Sequence, residues 1–76
     1  MYILFLHHIA YLDQEPQITM PFLPQLNDWM EIPVDIRDRY WPGCTEILFV
    51  VEREHLFTED MTFYGTRLHL QDWEGN

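Results

Sequence analysis

The chain is predicted to be a small, mostly-β domain: a five-stranded antiparallel barrel or strongly curled sheet, with at most one short helical turn around residues 34–41. Three observations predict it. Short apolar runs recur between turn signals, as strands do. Pro16, Pro21, Pro24, Pro33 and Pro42 interrupt every stretch long enough for a substantial helix. Two long strand-like runs near the C-terminus flank a polar tripeptide, the pattern of a hairpin. A real helix over Val34 to Trp41, packed on one face, is the α+β alternative.

Taken in order, Tyr2 to Leu12 is rich in Ile, Leu, Phe and Tyr. With so little polar alternation it reads as a strand covered on much of both faces. Asp13-Gln14-Glu15-Pro16 is a turn signal. Gln17 to Phe22 puts Ile18, Met20 and Phe22 on one face and Thr19 and Pro21 on the other. Pro21 belongs at an edge or a bulge, because it has no N–H for a ladder. Pro24 and Asn27-Asp28 mark a bend before a short third strand, Trp29 to Ile32. The stretch from Pro33 to Cys44 is the least regular. Within it Val34 to Trp41 has room for one or two helical turns before Pro42 ends them.

Thr45 to Phe57 and Met61 to Gln71 form the hairpin, with Thr58-Glu59-Asp60 between them. A loop of Thr58 to Met61 sets Phe49 opposite Leu70 and Val51 opposite Leu68, with Ile47 on the same apolar side. The reverse face then pairs Glu52 with Arg67 and Val50 with His69. Gly65, inside the last strand, marks a bulge or a tight bend. Closing such a sheet would also remove the exposed edges of so apolar a chain.

Length and composition bound the rest. The 76 residues make one domain, 1–76. A chain of this size buries only about 60% of its unfolded surface. Its 47% apolar content and twelve aromatic rings compensate. Each ring can bury roughly 150–250 Å², worth about 4–6 kcal/mol at ~25 cal/mol/Å² before entropy is subtracted. Cys44 is the only cysteine, which excludes an intrachain disulfide and a cysteine-based zinc cluster. Cysteine poverty favours a cytoplasmic site. The first twelve residues lack a basic n-region and are broken by His7 and His8, so no signal peptide is expected.

Charge is the most unusual feature. Thirteen acids oppose four arginines and no lysine, a formal charge of −9. Such a surface repels nucleic acid and anionic membranes and attracts basic partners. It also keeps a small aromatic-rich protein soluble.

The segment Phe22-Leu23-Pro24-Gln25-Leu26-Asn27-Asp28-Trp29-Met30-Glu31-Ile32, followed by Glu46 to Val51 and Leu68-His69-Leu70, resembles a pattern in small bacterial and phage proteins. That pattern reads Leu-Pro-x-x-Gly-Asp, an apolar strand and a hairpin; Asn27 stands where it carries glycine. The resemblance spans roughly residues 18 to 70. It implies an SH3-like barrel and carries no activity with it.

Catalytic and metal chemistry find little support in the spacing. His7 and His8 are adjacent on a strand and point to opposite faces. His55 and His69 are distant along the hairpin, and no His-x-x-x-His spacing occurs, so no metal is expected. Cys44 follows Pro42-Gly43 in a loop, with no base in evident reach. The acidic pairs Asp35 with Asp38, Glu52 with Glu54 and Glu59 with Asp60 read as solvated surface rather than as an acid–base pair in a cleft. No glycine-rich phosphate loop exists, and no cofactor is expected. Tyr40, Trp41, Arg37 and Arg39 cluster, yet four arginines against thirteen acids cannot build the usual nucleic-acid funnel. The same residue types suit a protein interface, or else the two rings cap one end of the barrel.

The expectation is therefore a non-enzymatic, acidic protein-binding module whose partner is a basic protein, with no direct nucleic-acid or membrane contact. A concrete version is a phage or mobile-element inhibitor whose carboxylates stand in for phosphates at the nucleic-acid site of a host defence protein. The candidate contacts are Glu46, Glu52, Glu54, Glu59 and Asp60, with Asp35, Asp38 and Trp41 as a second patch. The alternative is a structural module that self-associates, a homodimer for example, or joins a larger complex through apolar surface.

Overall fold

A computed structural model describes residues 1–73. The elements run β1 (Tyr2–His8), β2 (Gln17–Met20), β3 (Trp29–Glu31), α1 (Val34–Tyr40), β4 (Ile47–Phe57) and β5 (Phe63–Asp72). They form one five-stranded sheet in the order β2-β1-β5-β4-β3, curled into a half-barrel. The predicted mostly-β curled sheet with one short helix is present. Among the described residues no helix is long and apolar enough to cross a membrane.

The sheet is mixed rather than wholly antiparallel. β1 runs parallel to β5, with Leu4 beside Thr66, Leu6 beside Leu68 and His8 beside Leu70. These two strands are the apolar centre of the sheet: Leu4, Leu6, Leu68 and Leu70 are fully buried. Parallel neighbours cannot be joined by a tight turn, so the chain crosses from β1 to β5 through β2, β3, α1 and β4. The antiparallel pairs β1–β2, β3–β4 and β4–β5 flank them.

The concave face carries the core. Leu4, Leu6, Leu48, Val50, Leu68, Leu70, Ile32 and Trp41 cluster there, and Ile36 and Tyr40 of α1 pack against them. Trp41, at the C-terminal end of α1, is fully buried, and its indole N–H donates to the Gln14 carbonyl at 3.1 Å. It is a core residue, so its place among the partner contacts is corrected. A buried ring of this size contributes more apolar area to a small core than any aliphatic side chain can.

The hairpin register also differs from the predicted one. Met61 N–H donates to the Thr58 carbonyl at 2.9 Å and Thr58 N–H to that of Thr62 at 2.9 Å, and Met61 holds φ 66°. This is a three-residue loop ending on a left-handed residue. It aligns Thr58 with Thr62 and Phe57 with Phe63, and an irregularity at Tyr64 then shifts the pairing by one residue, setting Glu54 opposite Arg67 and Glu52 opposite His69. A bulge at Val51 shifts it back, so Val50 faces Leu70 and Phe49 faces Gln71. Leu48 and Val50 line the core, while Phe49 lies on the opposite face and Val51 is exposed. The expected core pairs of Phe49 with Leu70 and Val51 with Leu68 do not form.

Candidate functional site

Three groups of polar side chains stand out. On the convex face the parallel pairing of β1 with β5 and the bulged register of β4 assemble a charged ladder. The Arg67 guanidinium donates to Glu15 through Nε at 2.8 Å and to Glu54 through Nη1 at 3.0 Å. His69 Nε2 lies 3.3 Å from the same Glu54 oxygen. His7 and His69 meet edge to face, ring centroids 5.1 Å apart. His7 Nδ1 is 3.9 Å from Glu15, and it is buried without a hydrogen-bond partner among the described residues. The bonds from Arg67 and then His69 hold the Glu54 carboxyl below its ordinary range. Glu15 and Glu54 in turn raise Arg67. A carboxyl held ionised is the reverse of what a general acid requires. Sequence reasoning missed His7 beside His69 because only the parallel strand pair brings them together.

The second group lies under the sheet. His8 is buried, with Tyr11 and Trp41 against its ring. Its Nδ1 accepts from the Ala10 amide at 3.0 Å, so Nε2 bears the proton directed at Asp72 Oδ1, 2.8 Å away. Asp72 also accepts from the Thr45 amide at 3.1 Å. Burial pushes the Asp72 carboxyl up, but the bonds from His8 and Thr45 outweigh it and leave the carboxyl low. Cys44 stands next to Thr45. Burial, and then the Asp72 charge, push its thiol up, so the thiolate is disfavoured. Both His8 nitrogens are engaged elsewhere. These residues brace the ends of β1 and β5 against the β4 entry loop, and they do not form an activated nucleophile.

The third group is the hairpin tip. Phe57 and Phe63 pair across it with centroids 5.6 Å apart, and Tyr64 packs edge-on to Phe5 at 6.2 Å. Phe57, Met61, Phe63 and Tyr64 are all exposed, Met61 by 72%. Glu59 and Asp60 sit beside them in the loop. Hydrogen bonds from Thr58 and then Thr62 lower the Asp60 carboxyl; both carboxylates are exposed, and Glu59 makes no side-chain hydrogen bond among the described residues.

The predicted contact residues are thus dispersed. Glu52 and Glu54 share the convex face, as expected. Glu46 does not join them, because the Val51 bulge puts it out of phase, and it precedes the strand. Asp35 and Asp38 are exposed on α1, apart from the hairpin. Half-open clefts occur where the curled sheet fails to close. One is lined by Met20, Phe22, Pro24, Trp29 and Met30, another by Ile18, Asp35, Ile36 and Tyr40. Neither contains a histidine or Cys44. Among the described residues no three His, Cys, Asp or Glu side chains are grouped to hold a metal ion. No family model, no curated protein and no solved structure matches this chain.

Proposed function

We propose that the chain is a non-enzymatic, acidic protein-binding module that docks on a basic partner through the tip of its β4–β5 hairpin. One observation carries this reading: the paired rings of Phe57 and Phe63 are exposed at the hairpin tip, with Met61 exposed in the same loop beside Glu59, in a chain of net charge −9. Contiguous exposed apolar surface rimmed by charge marks interaction sites. Aromatic anchors with charged rims are the usual anatomy of a binding hot spot. Met61 supports it further. Its left-handed φ of 66° suits glycine or asparagine, so an exposed methionine is kept there at a conformational cost.

The narrower version, carboxylates mimicking phosphates at the nucleic-acid site of a host defence protein, draws on Glu52 and Glu59. Glu54 contributes less to it, because Arg67 neutralises it. Self-association through the same rings is the competing reading; the like charge of two copies opposes it. The test compares wild type with Phe57→Ser/Phe63→Ser and with Glu59→Gln in affinity capture at low and high salt, with light scattering alongside. Loss of one basic partner with the aromatic variant, and loss in salt, supports docking. A wild-type dimer that the aromatic variant dissolves, with no captured partner, overturns it.

A further inference from the structure

We infer that the free edge of β4, Val51 to Phe57, accepts an extended basic segment of the partner as an added sheet strand. β3 pairs only with Ile47 to Phe49. The ladder on that side ends at Val50, which bonds Asn27 and Asp28 at 2.8 and 3.0 Å. From Val51 to Phe57 no backbone group has a partner on the side away from β5 among the described residues. A row of unpaired N–H and C=O groups templates another strand.

The side chains on this edge select the occupant. Glu52 and Glu54 project on the convex face, paired across β4–β5 with His69 and Arg67. A strand added on the free side would set a residue next to Glu52, which has no cationic partner within ion-pair distance among the described residues, and lysine or arginine is favoured there; Arg53, on the other face, is turned to the Pro24 carbonyl. A second copy of this chain fits poorly. An antiparallel two-fold pairing centred on the segment puts Glu54 against Glu54, and like charges directly opposite are destabilising. The centred register thus disfavours a second copy, while Glu52 favours a basic strand.

The inference rests on the docking reading above and adds its mode. The probe is a peptide of about seven to nine residues alternating lysine with threonine or valine. Its controls are the same peptide with glutamine for lysine, and one N-methylated at alternate peptide nitrogens. Binding is read by amide hydrogen exchange and by titration at low and high salt. The expected result is slowed exchange within Val51 to Phe57, loss with the N-methylated peptide, and weaker binding of the glutamine peptide. Glu52→Gln should weaken the lysine peptide about two- to fivefold. Protection at β2 or β3 instead, or equal binding by all three peptides, overturns the inference. If it falls while the hairpin-tip variants still abolish capture of a basic partner, docking stands and only its mode is wrong.

Discussion

The ring of Phe5 lies across Gly65 so closely that a Cβ on the glycine would meet Phe5 Cε2 at 2.8 Å and the Ile3 carbonyl at 3.0 Å. The glycine lets β1 lie tightly beside β5, and it is needed for space rather than for an unusual φ. Gly65→Ala should therefore cost about 1–3 kcal/mol through overpacking. Adding Phe5→Leu should recover part of that loss, since the ring can be removed but the Ile3 backbone cannot. Urea unfolding of the three variants checks it; a neutral Gly65→Ala would refute the close approach.

This contact also shows where the sequence was legible and where it was not. The five strands, the short helix and the hairpin follow local signals: Pro33 and Pro42 bracket α1, and the polar Thr58-Glu59-Asp60 separates two apolar runs. The inward face of β5 is likewise clear, because Leu68 and Leu70 alternate with Arg67 and His69. β4 offers no such contrast. Ile47 to Val51 is apolar at every position, so either face fits the core, and the choice falls to loop geometry and to a bulge that hydropathy does not mark. The parallel β1–β5 pair joins residues some sixty positions apart without a turn between them, and the His7–His69 contact is hidden with it. Trp41 could have been placed in the core by its position directly after the apolar stripe of α1.

Asp72 provides a pH-dependent prediction. Its carboxyl is lowered in the fold, so its contribution is fully present above the unfolded value of about 3.9 and is lost as pH falls through the folded value. Asp72→Asn can still accept from His8 and Thr45 but carries no charge. At neutral pH it should cost about 1 kcal/mol, a charged hydrogen bond discounted for a side chain 37% exposed. The gap between variant and wild type should close below about pH 4, read from denaturant midpoints. A gap unchanged in acid would show that the charge contributes nothing.

Met61 separates stability from binding. Its position closes the hairpin loop in the left-handed region, where glycine carries no Cβ penalty. Met61→Gly should raise stability by about 0.5–1 kcal/mol while shrinking the apolar tip. Greater stability with weaker partner capture is the expected pair of outcomes, the trade seen where a strained residue serves function. Lower stability would mean that the exposed methionine packs in solution in a way that its 72% exposure does not suggest.

Glu52 and Glu54 have the same charge and share one face, yet they should behave differently. Glu54 accepts from Arg67 at 3.0 Å, and removing its charge leaves Arg67 with Glu15 alone. Glu54→Gln therefore removes a carboxylate that is already engaged within the fold, and Arg67 keeps its bond to Glu15. Glu52 has no cationic partner within ion-pair distance among the described residues, so Glu52→Gln removes a carboxylate that faces solvent. Neither substitution should shift the melting temperature appreciably, since exposed pairs add little to stability. If the face recruits a basic partner by long-range attraction, both variants should slow association, and the slowing should vanish at high salt. Each removes one unit of charge, so the slowing should be similar, while Glu52→Gln should in addition raise the dissociation rate by deleting a direct contact; Glu54, already engaged by Arg67, should change it less. Stopped-flow association and dissociation at two ionic strengths distinguish the two. Identical rates for both variants and wild type at low salt would leave the convex carboxylates as solubilising charge and confine docking to the rings of the hairpin tip.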